Sequence, residues 1–203
     1  MRIGIFGGAF DPIHNGHLLL ADQCREQCAL DEVWFVPTRT PPHKDASQLT
    51  PSRHRVEMLQ LATAGMPEFV VSRIELDHDE VSWTVDTLRR LRDQRPADEL
   101  FLLIGGDSLR EFPTWREPHA IAELATLVAV NRGETSLEEL SAGLDVSIRS
   151  RIELVTMPGV QIAATDVRSR AAEDRSLRFL VPRAVEQYIR QHELYSAQQS
   201  AGD

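Results

Sequence analysis

The chain has 203 residues, of which 42% are hydrophobic and 26% charged, a balance typical of a soluble globular protein. Its net charge of −9, from 31 acidic and 22 basic residues, argues against nonspecific binding to nucleic acid, so any phosphate site needs positive charge that is gathered locally. No apolar run reaches the roughly 18 residues of a membrane span, and the N-terminus lacks the pattern of a signal peptide. We therefore expect a cytoplasmic protein with neither a nucleic-acid nor a membrane partner.

Strands and helices alternate along the sequence. After an opening strand that ends at Gly7-Gly8, the predicted strands cover residues 33–36, 69–76, 100–104, 127–130 and 152–155. The predicted helices cover residues 18–30, 51–64, 82 or 84 to 92, 165–172 and 182–191. Thr50 is the predicted N-cap of the second helix, and Ser82 or Thr84 that of the third. Residues 1–195 are predicted to form a single domain, and residues 196–203 a frayed polar tail.

This alternation predicts an α/β fold with a doubly wound, mainly parallel sheet and helices on both faces. Such a sheet binds ligands beyond the carboxyl ends of its strands, near the point where the strand order reverses. The loops at 7–17, 37–44, 105–115 and 131–132 carry the glycines, histidines and basic residues, and each follows a predicted strand. We therefore expect the functional site on that one rim.

The two cysteines, Cys24 and Cys28, lie four residues apart in the first predicted helix. This spacing suits neither a disulfide framework nor a zinc knuckle. We predict that both are core residues of a protein from a reducing compartment.

The opening stretch, RIGIFGGAFDPIHNGH from Arg2 to His17, has the pattern of a phosphate site. At Gly7-Gly8 the absent side chains let backbone N–H groups approach a ligand. His14 and His17 follow three residues apart, where the next helix begins with unpaired N–H groups and partial positive charge. Two alternatives remain open at this point: a metal site completed by Asp11, or a purely structural capping role.

Two common nucleotide-binding motifs are missing from the sequence. A dinucleotide-binding dehydrogenase would show Gly-x-Gly-x-x-Gly after the first strand and an acidic residue at the end of the second, and neither occurs. There is also no Walker A motif.

Six motifs in order carry a resemblance to a known family: GGAFDPIHNGH (7–17), PPHK (41–44), SWTVDTL (82–88), IGGDSL (104–109), FPTW (112–115) and IAATDVR (162–168). Together they resemble the nucleotidyltransferase superfamily with the His-x-Gly-His signature. Within it they resemble the bacterial nicotinate-nucleotide adenylyltransferases, which make deamido-NAD from ATP and nicotinate mononucleotide. The resemblance covers nearly the whole chain and implies a Rossmann-like fold, transfer without a covalent intermediate, and Mg²⁺ that arrives with ATP.

The resemblance also implies a role for each matching residue. Catalysis would rest on four side chains, which are His14, His17, Lys44 and Arg168. The two histidines and Arg168 would also bind ATP, together with Gly7, Gly8, Ala9, Phe10, Gly105, Asp107 and Thr165. The nicotinate mononucleotide would be bound by Lys44, Trp83, Thr84, Trp115 and Arg132, with the Trp115 indole stacked on the pyridine ring.

The last motif departs from the family pattern, Ile-Ser-Ser/Ala-Thr-x-Ile-Arg. Ala163 and Ala164 stand where serines are usual, and Asp166 adds a negative charge. We therefore expect weaker or differently supported ATP binding. Two alternatives stay open: an adenylyltransferase for the amidated mononucleotide or another phosphate acceptor, and a non-catalytic nucleotide sensor. Whether the chain forms a homo-oligomer is open as well.

Overall fold

A computed structural model of the chain describes residues 1–40, 49–78, 80–131, 139, 141 and 143–196. One sheet contains six strands: β1 (Arg2–Gly8), β2 (Glu32–Pro37), β3 (Phe69–Val71), β4 (Glu99–Gly105), β5 (Thr126–Asn131) and β6 (Ile152–Thr156). Their order is β3-β2-β1-β4-β5-β6, and each neighbouring pair is parallel. This order is that of a doubly wound Rossmann-like sheet, so the predicted fold class is confirmed.

Helices cover both faces of the sheet. They are α1 (Asn15–Gln27), α2 (Ser52–Thr63), α3 (Thr84–Gln94), α4 (Gly106–Glu111), α5 (Pro118–Leu124), α6 (Val146–Arg149), α7 (Ala164–Ala172) and α8 (Arg183–Gln191). Successive strand residues point to opposite faces. Phe101 and Leu103 therefore pack in the cluster that contains α1, α2 and α8, whereas Leu100 and Leu102 pack in the cluster that contains α3 and α5.

The strand order reverses between β1 and β4, which are neighbours in the sheet but distant in sequence. Their hydrogen-bonded ladder runs from Arg2–Glu99 to Ile5–Leu102, while the strands continue to Gly8 and Gly105. The β1–β2 ladder, by contrast, extends to the end of β1. A crevice therefore opens between the carboxyl ends of β1 and β4, at the switch point where such sheets bind ligands.

Two predicted elements have wrong boundaries. The first helix begins at Asn15 rather than residue 18, because His14 caps it, and it ends at Gln27 rather than residue 30, because Ala29 has a left-handed φ of 47°. The third strand ends at Val71 rather than residue 76, because the chain then turns, with the N–H groups of Leu76 and Asp77 both donating to the Arg73 carbonyl.

The predicted N-caps of α2 and α3 are also wrong, because tertiary contacts involve those residues instead. Pro51 and Trp83 occupy the N-cap positions, and neither makes a side-chain capping hydrogen bond. The Thr50 N–H donates to the Asp11 carboxylate at 3.1 Å, and the Ser82 hydroxyl accepts from the Arg39 N–H at 3.2 Å.

Helices α4, α5 and α6 and the 3₁₀ turn Phe112–Thr114 were not predicted from the sequence. These segments are too short for a 3.6-residue hydrophobic period to stand out. The predicted tail falls largely outside the described residues, which end at residue 196.

Cys24 and Cys28 are free thiols buried in the core, as predicted. Burial raises the pKa of the Cys24 thiol. Burial, followed by the Glu153 carboxylate, raises the pKa of Cys28 to about 11. Both side chains are therefore neutral at physiological pH and pack as small apolar groups. In the part of the chain that the structure describes, no helix has the length and apolar character needed to cross a membrane.

Candidate active site

The loop that follows β1 folds back over its own backbone. Phe10 has a φ of 47°, where a bulky residue is uncommon, and its buried ring lies 5.4 Å from the Phe6 ring and 5.2 Å from the His17 ring. A Cβ on Gly8 would lie 3.2 Å from the Phe10 ring, whereas a Cβ on Gly7 would meet nothing within 4 Å. Gly8 therefore makes room for Phe10, and Gly7 is where the backbone is open to a ligand.

His14 and His17 cap the first turn of α1 reciprocally. The His17 N–H donates to Nδ1 of His14, and the His14 N–H donates to Nδ1 of His17, both at 3.3 Å. The two imidazoles stack with their centroids 3.6 Å apart and their planes at 21°. The His-x-Gly-His spacing thus forms a capping box in which imidazoles replace the usual hydroxyl and carboxylate.

This cap assigns the tautomer of both rings. A ring nitrogen that accepts from a backbone N–H carries no proton, so the proton of each neutral imidazole lies on Nε2. Each ring then has an N–H donor without a positive charge, which suits the positive end of a helix. The arrangement favours a site that binds anions through hydrogen bonds at this helix end.

Gly16 allows the His14 ring to lie against the helix backbone. A Cβ at this position would lie 3.1 Å from Nδ1 and 3.2 Å from Cε1 of His14. These distances are shorter than ordinary van der Waals contact, so a larger residue would displace the ring. The glycine in the motif is therefore required by the histidine cap.

Two arginines bring positive charge to the loop after β1. Arg55 is 2% exposed and donates from Nη1 to the Ala9 carbonyl at 2.7 Å and from Nε to the Thr50 carbonyl at 2.9 Å. Burial lowers the pKa of its guanidinium, and the nearby Asp11 carboxylate opposes that shift. Arg168, a predicted ATP ligand, donates from Nη1 to the Asp11 carbonyl at 2.7 Å.

Arg168 therefore contacts the loop after β1, which the sequence predicts to bind phosphate, although the two are far apart in the chain. A guanidinium has five N–H donors, and this contact uses one of them. Thr165, one helical turn earlier in α7, is exposed. The N-cap of α7 is Ala163, which has no side-chain hydrogen bond to the helix, so the departure from the family pattern leaves this N-terminus without a hydroxyl cap.

The β4 side of the crevice carries the other predicted ATP residues. Gly105 is the last residue of β4 and the N-cap of α4. Asp107 lies in the first turn of α4, with its side chain 97% exposed and paired to Arg110 at 2.7 Å. Both residues lie at the carboxyl end of a strand adjacent to β1, on the rim that holds Gly7 and Gly8.

Three of the five predicted acceptor residues, Trp83, Thr84 and Trp115, lie on the α3–α5 side of the sheet. Trp83 and Trp115 are half-buried and pack against the same apolar cluster. The Arg116 guanidinium lies 5.3 Å from the centre of the Trp83 ring, and the Trp115 ring packs 5.3 Å from that of Phe112. The Trp83 N–H donates to the Val81 carbonyl at 3.0 Å. The next N–H along the chain is that of Thr84, the first residue of α3, where N–H groups have no acceptor within the helix.

Glu75 is a buried carboxyl group behind the acceptor residues. It is 7% exposed, and its Oε1 accepts from the Thr87 hydroxyl at 2.8 Å. Its Oε2 is buried with no hydrogen-bond partner among the described residues. Burial raises the pKa of Glu75, although the Thr87 and Ser82 hydroxyls oppose the shift.

Three residues of this region were not identified from the sequence: Arg55, Glu75 and Tyr195, whose hydroxyl donates to the Asp11 carboxylate. Arg55 left one usable signal, since it precedes the buried Met58 and Leu59 by three and four residues and so lies on the apolar face of α2. Two predicted site residues, Lys44 and Arg132, lie outside the described residues. Their roles stay predictions.

A protein-built metal site was one alternative for the two histidines. Among the described residues, no group of three or more His, Cys, Asp and Glu side chains is arranged to hold a metal ion. Both carboxylate oxygens of Asp11, the third ligand considered, accept hydrogen bonds from protein groups.

Comparison with known proteins supports the nucleotide-binding interpretation. A family model described as cytidylyltransferase-like matches residues 5–170. Two relatives named "Probable nicotinate-nucleotide adenylyltransferase" are 47% identical over 196 residues in Thermomicrobium roseum and 50% identical over 195 residues in Thermus thermophilus. The alignments cover 96% of this chain and 91% and 100% of those proteins. The chain belongs to the nicotinate-nucleotide adenylyltransferase family.

Solved structures of the family share the fold. The Plasmodium falciparum nicotinic acid mononucleotide adenylyltransferase complexed with NaAD superimposes with a TM-score of 0.78 at 21% identity, over 96% of this chain and 97% of that one. The same enzyme complexed with APC gives 0.76 at 20% identity, over 96% of both chains. In this nicotinate-nucleotide adenylyltransferase family member, the family-model match spans every predicted site residue, and Tyr195 lies beyond it.

Proposed function

We propose that this chain transfers the adenylyl group of ATP to nicotinate mononucleotide, forming nicotinate adenine dinucleotide and pyrophosphate in NAD biosynthesis. Family membership supports the reaction. The observation that carries the chemistry is the reciprocal cap of His14 and His17 on α1. It assigns two Nε2–H donors to a helix N-terminus that directly follows the carboxyl end of β1, beside the switch-point crevice.

The reaction needs no nucleophilic side chain. A phosphate oxygen of the mononucleotide attacks the α-phosphorus of ATP, the bond from that phosphorus to the bridging oxygen breaks, and pyrophosphate leaves. A phosphate monoester has a second pKa of about 6, so it is mostly ionised at neutral pH and requires no general base. The protein therefore has to position two polyanions in line and stabilise the charge that develops at the α-phosphoryl group.

Several described residues suit the ATP half of this task. The Nε2–H groups of His14 and His17 would donate to the phosphates, and the open backbone at Gly7 would allow close approach. Arg168, tied to the Asp11 carbonyl by one N–H, would direct others to the triphosphate. Thr165 would add a hydroxyl from the same helix face, and Asp107 would accept from the adenylate ribose.

Mg²⁺ would enter with ATP and neutralise charge on the phosphate oxygens when bound. Lys44 would reach both phosphate groups from the loop after β2, which is a prediction from the family motif alone.

The acceptor half would use the two tryptophans. Trp115 would stack on the nicotinate ring, while the N–H and hydroxyl of Thr84 at the start of α3 would bind its carboxylate. Because the Trp83 N–H donates to the Val81 carbonyl, Thr84 is the better amide donor of the pair. Arg132 would bind the mononucleotide phosphate.

The test is pyrophosphate release by the purified protein with ATP and Mg²⁺, comparing nicotinate mononucleotide, nicotinamide mononucleotide, phosphopantetheine and no acceptor. We expect release with the nicotinate compound, and a product with the mass of nicotinate adenine dinucleotide. Faster release with the amide or with phosphopantetheine would assign another acceptor. ATP binding without release for any acceptor would favour the non-catalytic sensor. The cytoplasmic location stays a prediction.

A further inference from the structure

Tyr195, close to the last described residue, contacts the loop that follows β1. Its hydroxyl donates to Oδ1 of Asp11 at 2.6 Å across 184 positions of the chain. Asp11 is 3% exposed, and its Oδ2 accepts from the Thr50 N–H at 3.1 Å. One buried carboxylate therefore joins the loop to two segments that are remote in sequence.

The main chain of the same loop is held by the two arginines already described. Arg55 donates to the carbonyl before Phe10, and Arg168 donates to the carbonyl of Asp11 itself. Two guanidinium groups thus hold the backbone of the loop from Ala9 to Ile13. Thr50 and Tyr195 hold its only carboxylate, that of Asp11. His14 is the next residue, so whatever fixes the loop also fixes the start of α1.

The protonation states suit this network. Burial, and then the Asp11 charge, raise the pKa of the Tyr195 phenol, so at neutral pH the hydroxyl is protonated and is the donor. Hydrogen bonds from O–H to a carboxylate are typically short, at 2.5–2.7 Å, and stronger than neutral ones. Burial lowers the pKa of the Arg55 guanidinium, and the buried Asp11 carboxylate lies close enough to oppose that shift, so each charge offsets part of the cost of burying the other.

The chain reaches Asp11 through an unusual backbone path. After α8, Glu193 and Tyr195 both have left-handed φ values, of 51° and 65°, which non-glycine residues adopt uncommonly. Leu194 between them is buried, and its N–H donates to the Ile189 carbonyl at 3.0 Å. The end of α8 thus turns back onto the protein and directs the Tyr195 ring beneath the loop.

We propose that Tyr195 is a positioning residue for adenylyl transfer: through Asp11 it holds the Ala9–Ile13 loop so that His14 and the first turn of α1 meet the ATP phosphates. The inference rests on the proposed function and adds to it a residue outside the family-model match. It concerns the ATP half of the site only, since Tyr195 and its partners belong to the α1–α2–α8 side of the sheet.

The test compares Tyr195→Phe with Tyr188→Phe. Each substitution removes one hydroxyl, but that of Tyr188 bonds to Nδ1 of His54 at 2.9 Å and not to the loop. For Tyr195→Phe we expect kcat/KM for ATP to fall about tenfold, the scale of one lost hydrogen bond to a charged group, with KM for ATP raised and KM for the mononucleotide unchanged. Tyr188→Phe should behave like the wild type.

A merely structural role gives a different result. If Tyr195→Phe only destabilises the fold, Tm and the active fraction fall while KM for ATP stays constant, and that outcome would overturn the proposal. Equal losses in the two tyrosine variants would overturn it too. On an Asp11→Asn background, Tyr195→Phe should change kcat/KM for ATP by less than about twofold, because the charged acceptor of the Tyr195 hydroxyl is already gone. A full tenfold effect of Tyr195→Phe on that background would count against the proposal.

Calorimetric titration with a non-hydrolysable ATP analogue separates this inference from the proposed function. If Tyr195→Phe binds the analogue more weakly than Tyr188→Phe does, the positioning role is supported. This holds even if the wild type releases no pyrophosphate, because a lack of release would refute only the proposed adenylyl transfer. Equal affinity of the two variants would refute the positioning role. If Tyr195→Phe does not fold, Asp11→Asn replaces it in the titration with the same expected result.

Discussion

Replacing Gly16 by alanine tests whether the position of the His14 ring matters for catalysis. The new Cβ would lie 3.1 Å from Nδ1 and 3.2 Å from Cε1 of His14, and 3.7 Å from the Cβ of Ile162. The first two distances are too short for comfortable contact, so the imidazole must move by a few tenths of an ångström. That movement weakens the 3.3 Å hydrogen bond from the His17 N–H to His14 Nδ1.

The effects on stability and on catalysis should differ in size. Alanine is favoured over glycine inside a helix by about 0.5–1 kcal/mol, whereas a lost N-cap costs about 1 kcal/mol. The two nearly cancel, so Tm should change by no more than about 4 °C. Misdirecting one preorganised donor to a developing charge should lower kcat about a hundredfold, which is about 2.7 kcal/mol of transition-state stabilisation.

The measurement is pyrophosphate release at saturating ATP and nicotinate mononucleotide, together with thermal unfolding of the same samples. Gly143→Ala is the matched control, because a Cβ at Gly143 would meet nothing within 4 Å, and its kcat should equal that of the wild type. A Gly16→Ala enzyme with wild-type kcat would refute the claim that the glycine is needed to seat His14.

Three further predictions address the acceptor side, the buried carboxyl group and the α7 cap. Trp115→Ala, which removes the ring packed on Phe112, should raise KM for the mononucleotide about tenfold and leave KM for ATP unchanged; equal increases would dismiss stacking. Burial raises the pKa of Glu75 above its ordinary 4.5, so above pH 4.5 the unfolded chain loses a proton that the folded chain keeps, and stability falls as pH rises towards the folded value. Urea titrations should therefore show Glu75→Gln gaining stability relative to the wild type as pH rises from 4.5 towards the folded pKa. A difference in stability that does not change with pH would contradict a buried, protonated Glu75. Ala163→Ser should stabilise the protein by about 1 kcal/mol as a new N-cap and tighten ATP binding; unchanged ATP affinity would show that the hydroxyl is not needed for phosphate.

Features whose partners are close in sequence were predictable. His14, Gly16 and His17 lie within one helical turn, so their spacing alone brings both imidazoles to the same helix end. The sequence could not distinguish the two neighbouring glycines, however, and predicted one role for Gly7 and Gly8. The structure separates them, because the Phe10 ring returns over Gly8 and leaves Gly7 open.

Features whose partners are remote were not predictable. The Arg55 guanidinium meets the Ala9 carbonyl 46 positions away, and the Tyr195 hydroxyl meets Asp11 at a separation of 184. Neither partner leaves a local pattern, since an arginine or a tyrosine near an apolar run is also common on surfaces. The N-cap prediction for Thr50 failed for the same reason, as its N–H donates to Asp11.

The sequence by itself determined the order of the strands and of the longer helices, the parallel sheet and the histidine pair at the first helix, because hydrophobic period and turn chemistry act over a few residues. Only the tertiary structure decided the rest. The crevice between β1 and β4 exists because strands that are far apart in sequence pair as far as Ile5 and Leu102 and then separate. The loop before His14 is held by groups from α2, α7 and the segment after α8, and such contacts form only when the whole chain has packed.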